Sequence, residues 1–486
     1  MMRAIILLHR SLGVAFCLLF AMWFATGVVM HFVPFPVLTE TERFAGLAAL
    51  DLARVPHGPA EAVKASGVEG ATRVRLVERS DGPLYVVSGP STAAAVRAAD
   101  LADGAVGSEQ LALAIVHDQA RRRDIGAAGH GAVQTIPYDQ WTLAAGFDLH
   151  RPLYRVALDD GSGTVLYVSS RTGEVVLDTT RRERVSSYFG SVAHWIYPTV
   201  LRGRPAVWRS LVSWLSFLAL LGAAIGAIVG VLQINVELSR PASPYRGLQA
   251  WHHWLGLVCA PFVLTWIFSG WLSMDHGRLF STGEPSAAEQ AAIIGAPAWD
   301  ALAGDEVERI AAPVKEVEWF VFGGQIFRRE RIGLDQQRLS LAGTRADAAM
   351  PDRAFLRAGE IAAAAGKLAP ACEDPVAIGP DDAYASSSVM PGAPLFRVVC
   401  GNDWLYFDGA SGELLEKLDA SRRAYRWLFR ALHTLDFPAL TARPALRAAL
   451  IVALCAAGFA FSLTAVALAW RRLRLSFGFS STDAAA

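Results

Sequence analysis

Long uncharged apolar runs break up a chain that is otherwise polar and rich in turns. Residues 11–30, 210–236, 254–274 and 448–470 contain no Asp, Glu, Lys or Arg. Each run is long enough for a helix to cross a hydrocarbon core of about 30 Å, so four membrane-spanning helices are expected. The two long stretches between them carry other periods. In the first, residues 59–65 and 108–120 have helical patterns, the latter opened by Ser108 as cap with Glu109 in its first turn. Residues 72–78, 84–88, 141–148, 153–158 and 165–169 alternate or are rich in β-branched and aromatic residues, as strands are. In the second stretch, 352–366 is helical and 394–399 and 404–407 are strand-like.

The pattern occurs twice. His9-Arg10-Ser11-Leu12-Gly13 opens the first run and His252-His253-Trp254-Leu255-Gly256 the third, and Gly13 to Gly27 spans the same interval as Gly256 to Gly270. Thr172-Gly173-Glu174 and Ser411-Gly412-Glu413 end strand-like segments, and 21 residues after each turn glycine stands a histidine, His194 or His433. The expected fold is an α-helical integral membrane protein of four spans with an internal two-fold repeat and two outer α+β domains. The boundaries are helix 1–33, domain 34–205, helix 206–236, loop 237–251, helix 252–276, domain 277–444, helix 445–472 and tail 473–486. The first run is long and lacks a clear cleavage site, which fits an uncleaved anchor.

Charge adds orientation. With 45 Lys and Arg against 45 Asp and Glu, the chain has no basic stripe for a nucleic acid, and no such partner is expected. Arg3 and Arg10, Arg240 and Arg246, and Arg471, Arg472 and Arg474 all fall on one side of a four-span chain, the side expected to be cytoplasmic. Arg204 and Arg209 lie on the other side and weaken the asymmetry. Cys17, Cys259 and Cys455 fall within spans as small apolar residues. Cys372 and Cys400 share the second outer domain and can form a disulfide if it lies in an oxidising compartment.

Histidines recurring at membrane boundaries suggest a bound metal or haem. His9 and His31 are 22 residues apart, about 33 Å along one helix with a phase difference of about 40°. His252 matches His9 by register. His253, about 100° further round, cannot share its direction in a regular helix. His194 and His433 recur with domain turn, spacing and following helix. The candidate ligands are therefore His9, His31, His194, His252 and His433. His253, Met274 and His276 are weaker, and His31 could pair with either His194 or His433. His57, His117, His130 and His150 have no ligand-like spacing. Gly222, Gly226 and Gly230 form a small-residue packing face. No Walker or dinucleotide fingerprint is present.

The paired "HRxLG" and "HHWLG" openings, the strand-turns and the histidine before each return helix resemble PepSY-associated transmembrane proteins. Residues 138–142 (YDQWT) and 147–154 (FDLHRPLY) are similar to a branch of that family, the FoxB-like siderophore-iron reductases. The resemblance implies a bacterial inner-membrane location, periplasmic PepSY modules and b-type haem, and two haems are expected. It also implies electron transfer from an unidentified cytoplasmic donor to Fe(III) in a periplasmic siderophore complex, with His150 and Arg151 at the docking surface. Two rival readings are a non-enzymatic accessory protein that binds a peptide or partner, and an iron or solute transporter. The spans lack the intramembrane charges that often mark ion pathways.

Overall fold

A computed structural model describes residues 1–126, 131–235, 241–275, 279–302, 304, 306–311, 313–343, 353–379, 382–384 and 392–476. His130, Arg240, His276 and the opening of the 352–366 segment lie outside the described residues. The chain divides into two compact units, one of residues 1–35, 185–280 and 423–486, the other of residues 36–184 and 281–422.

Among the described residues the first unit holds four helices long and apolar enough to cross a membrane: Met2–Phe32, Pro205–Leu232, Leu248–Leu272 and Pro444–Ser476. The first and last contain the expected runs 11–30 and 448–470, and the other two cover most of 210–236 and 254–274, ending at Leu232 and Leu272. Large apolar side chains at their surface, among them Leu18, Trp214, Val258 and Trp470, are exposed. That suits a bundle whose solvent is lipid. Small residues let the helices approach closely. A Cβ on Gly222 would stand 3.2 Å from Leu12, and one on Gly256 would stand 3.1 Å from Phe461. Segments expected to belong to the outer domains, 185–204 and 423–443, pack with this unit instead. Each contains a short π-helix, Tyr188–Val192 and Arg426–Ala431.

The second unit is built on strands β1 (Arg73–Arg79), β2 (Gly82–Ser88), β3 (Ala93–Arg97), β4 (Ala132–Ile136), β5 (Leu153–Ala157), β6 (Val165–Ser169), β7 (Val175–Thr179), β8 (Glu316–Phe322), β9 (Gln325–Arg331), β10 (Gln337–Leu341), β11 (Val376–Ile378), β12 (Leu395–Cys400), β13 (Asp403–Asp408) and β14 (Leu414–Leu418). They form one six-stranded sheet, β10-β9-β8-β1-β2-β3, and two four-stranded sheets, β4-β5-β6-β7 and β11-β12-β13-β14. β1 pairs antiparallel with β8, Leu76 opposite Val317. The two expected outer domains are thus joined through a shared sheet into one unit. Pairing of strands so far apart in sequence leaves no local pattern.

The central sheet is apolar on one face, with Val74, Leu76, Tyr85, Val317 and Trp319 in one core. Its other face places Glu316 opposite Arg331 and Glu318 opposite Arg329 across β8 and β9. Glu316 also meets Arg43 at 2.7 Å, and Glu318 meets Arg73 at 3.2 Å. The two turns that repeat in sequence meet this face: Glu174 pairs with Arg75 and Glu413 approaches Arg73 at 3.9 Å. Burial alone would push the Glu316 carboxyl up, but the guanidiniums of Arg43, Arg75 and Arg331 hold it well below the usual carboxylate range.

Residues 141–148 do not form the expected strand. Ala145–His150 is a 3-10 helix. Arg151 gathers this loop, donating to the carbonyls of Pro137 and Thr142 and pairing with Asp148 at 2.7 Å. Asp139 accepts from Tyr167 Oη at 2.7 Å. Arg151 and Asp139 therefore use their polar groups internally, and all three guanidinium nitrogens of Arg151 are bonded inside the loop. Cys372 and Cys400 form a disulfide.

Candidate functional site

The membrane unit brings four histidines together as two facing pairs. His9 on the first spanning helix faces His252 on the third, their ring centres 6.5 Å apart and their planes 32° apart. His194 and His433, each just after its π-helix, face one another at 6.2 Å and 69°. π-Helical turns are frequent at functional sites. Two imidazoles binding one metal from opposite sides, each at a metal–nitrogen distance of about 2.0–2.1 Å, would have ring centres roughly 6.3 Å apart. Both pairs stand close to that spacing.

The helices place these pairs by simple arithmetic. From His9 to Gly27, and from His252 to Gly270, is 18 residues, which is five whole turns and about 27 Å. Histidine and glycine therefore lie on one face of each helix, one pair at each end. The glycines make room for the second pair: a Cβ on Gly27 would stand 3.6 Å from His194 Cε1, and one on Gly270 would stand 3.3 Å from His433 Cε1.

Hydrogen bonds fix which nitrogen of each ring is available. His194 Nδ1 lies 3.0 Å from Thr26 Oγ1, and that hydroxyl already donates to Met22 O at 2.7 Å. It can only accept from the imidazole, so the proton sits on Nδ1 and the lone pair on Nε2. His433 Nδ1 is held in the same way by Ser269 Oγ, which donates to Trp266 O. At the other end His252 Nδ1 meets Thr464 Oγ1, which donates to Phe461 O. His9 Nδ1 donates to Gly222 O at 3.2 Å. None of the four Nε2 atoms has a hydrogen-bond partner among the described residues. Neutral imidazole with a bonded Nδ1–H and a free Nε2 is the form that ligates a metal.

The other candidates stand differently. His253 uses both nitrogens, Nε2 on Gly230 O and Nδ1 on Ser243 Oγ, each at 2.8 Å. It therefore has no lone pair to offer a metal. His31 and Met274 each come four residues after a glycine that faces a histidine, which is one turn or about 6 Å too far along the axis. His31 has an edge contact with Phe32 and no ring contact with another histidine among the described residues. In the second unit, His150 buries an Nδ1 without a partner among the described residues.

Around His9 and His252 lies a cavity of about 980 Å³, at the upper end of ordinary cofactor pockets. Its walls are mainly apolar, with Phe16, Phe20 and Phe461 among them, and they include Gly13, whose Cβ position has no neighbouring atom within 4 Å. Arg10, Arg246, Arg471 and Arg472 line the same space and have no ion-pair partner among the described residues. A flat apolar group with acidic substituents fits such a lining. The stripe Gly222, Gly226, Gly230 seats histidines as well as packing helices. A Cβ on Gly226 would fall 2.4 Å from His9 Cε1, and the Gly222 and Gly230 carbonyls accept from His9 and His253.

Thr26, Ser269, Thr464 and Gly226 were not among the candidates read from sequence. One local signal was available: a hydroxyl residue precedes each repeat glycine, as Thr26-Gly27 and Ser269-Gly270. Among the described residues no group of three or more His, Cys, Asp or Glu could hold a metal ion.

A family model described as PepSY-associated TM region matches residues 6–472. The chain belongs to this family. Comparison with the curated proteins finds no match.

Proposed function

We propose that this chain is an electron-transfer protein of the bacterial inner membrane. In this reading it holds two b-type haems and reduces Fe(III) in periplasmic siderophore complexes, with electrons from a cytoplasmic donor. The observation that carries the reading is the set of four imidazoles, each with Nδ1 tied and Nε2 open, arranged as two facing pairs about 27 Å apart along the helices. A haem held between such imidazoles would supply one-electron oxidation and reduction.

In this account His9 and His252 hold the inner group, and Arg10, Arg246, Arg471 and Arg472 meet its acidic substituents. His194 and His433 hold the outer group. Thr26, Ser269, Thr464 and the Gly222 carbonyl keep the rings in one tautomer and one orientation, which raises ligand basicity. The mainly apolar walls of the inner cavity would favour a low dielectric around the bound group. Reduction releases iron because oxygen-rich chelators hold Fe(III) far better than Fe(II).

The basic flanks support a topology with both termini and the 237–251 loop in the cytoplasm. The unit holding the Cys372–Cys400 disulfide then lies in the periplasm, where disulfides persist. We read the two halves as duplicates, each giving one histidine to each pair. The test is purified protein in lipid vesicles, reduced from the cytoplasmic side and offered a ferric siderophore with a colorimetric Fe(II) chelator outside. Fe(II) formation that is lost in His433→Ala is expected, and no Fe(II) above a protein-free control would count against the assignment.

A further inference from the structure

Between the two histidine pairs the bundle is filled by a closed group of aromatic rings. Phe24 on the first spanning helix and Phe262 and Trp266 on the third form a triangle with ring centres 6.2, 6.0 and 5.7 Å apart. Phe24 and Trp266 are buried. The fourth spanning helix is notched to admit the group: a Cβ on Gly458 would fall 2.6 Å from two carbons of the Phe24 ring. Glycine in a membrane helix usually lets another backbone approach, but here it admits a ring.

Each end of the triangle lies close in the chain to residues that touch the histidines. At the outer end Trp266 O accepts from Ser269 Oγ, the hydroxyl that holds His433 Nδ1. Phe24 lies three residues before Gly27, the glycine facing His194. At the inner end Phe461, three residues beyond Gly458 and so one turn along the same helix, stacks on His252 at 5.0 Å and 21°. The third helix places Phe262 10 residues and Trp266 14 residues beyond His252, about 15 Å and 21 Å into the 27 Å interval.

We propose that Phe24, Phe262 and Trp266 form a mid-membrane bridge that carries the electron from the His9–His252 site to the His194–His433 site. The proposal rests on the haem reading above. In the step one electron leaves the inner site, which is oxidised, and enters the outer site, which is reduced. No bond forms or breaks and no proton moves. The inner site is refilled by a one-electron donor from the cytoplasm. Tunnelling falls off steeply with distance and is faster through close-packed unsaturated groups than through saturated chains or voids. Replacing a bridge ring by an alkyl chain also leaves unfilled volume.

The experiment uses the full chain in lipid vesicles, comparing wild type with Trp266→Leu, Phe24→Leu and Trp266→Phe. His9→Ala and His433→Ala assign the absorption bands of the two sites. Haem content and the midpoint potential of each site are measured first, and then the rate at which the outer band follows reduction from the inner side. The bridge predicts that both Leu variants keep both bands and their potentials while the outer band follows several-fold more slowly. Trp266→Phe, which keeps a ring, should stay near the wild-type rate. Leu variants with both bands and a wild-type rate would overturn the bridge alone, as would a Trp266→Phe variant as slow as Trp266→Leu. A wild-type protein without haem bands would overturn the underlying reading before any rate is measured, and the bridge with it.

Discussion

Thr26 Oγ1 stands 3.0 Å from His194 Nδ1 while its own proton goes to Met22 O. The hydroxyl is therefore an acceptor, and the imidazole lone pair is left on Nε2. Replacing Thr26 by Val keeps the shape and removes the acceptor. A substitution in the shell behind a metal ligand typically weakens binding by roughly 10- to 100-fold. Thr26→Val is expected to lose haem preferentially from the outer site, with Ser269→Ala doing the same through His433. Titration of haem into the apoprotein, followed optically, measures the effect.

The inner site depends on the absence of a side chain at Gly226. A Cβ there would fall 2.4 Å from His9 Cε1, against a ring already held by Gly222 O. Gly226→Ala should push His9 out of line with His252 at a cost of about 1–3 kcal/mol in overpacking. The inner absorption band should be lost or broadened while the outer one persists.

His253 sits beside His252 in sequence but has both nitrogens bonded, to Gly230 O and Ser243 Oγ. His253→Ala should therefore keep the full haem content, whereas His252→Ala should lose the inner haem. A pyridine haemochrome assay on the two variants separates these outcomes.

In the second unit, Glu316 is buried among Arg43, Arg75 and Arg331, which keep it ionised. Glu316→Gln leaves those guanidiniums short of a counter-charge and should destabilise the fold by about 3–5 kcal/mol. The pH dependence follows from the lowered value. Glu316 contributes stability above its unfolded pKa of about 4.3. That contribution shrinks as pH falls from there towards the depressed native value, because the unfolded state takes up the proton first. Thermal unfolding measured from pH 7 down to 3 should show a steeper loss for wild type than for the variant.

Cys372 and Cys400 close a loop with a sequence separation of 28, worth about 3–4 kcal/mol in the chain-entropy model. Protein isolated from membranes and denatured without reductant should leave both thiols unlabelled by a maleimide, with Cys17, Cys259 and Cys455 free to react.

The four helices were legible because an uncharged run of 20 residues has few alternatives in water. His9, His194, His252 and His433 were legible because register repeats them. The pairing of His194 with His433 was not. His31 shares a face with His9 but lies one turn beyond Gly27, and sequence phase does not reveal which position meets a histidine from another segment. The shared sheet was also hidden, since Leu76 and Val317 pair across a separation of 241 residues with no local signature. The charged strands β8 and β9 were missed because Glu316, Glu318, Arg329 and Arg331 look like a solvated face until their cross-strand partners are known. The 141–148 segment looked extended, but Arg151 turns it by collecting its carbonyls.

The central claim is that the two facing histidine pairs hold haem. The direct test is the optical spectrum of detergent-purified protein, oxidised and then reduced with dithionite, with haem counted by pyridine haemochrome. The account predicts sharp b-type α-bands at two haems per chain, falling to one in His9→Ala and in His433→Ala. A colourless protein from haem-replete cells, or bands that survive loss of all four histidines, would contradict it.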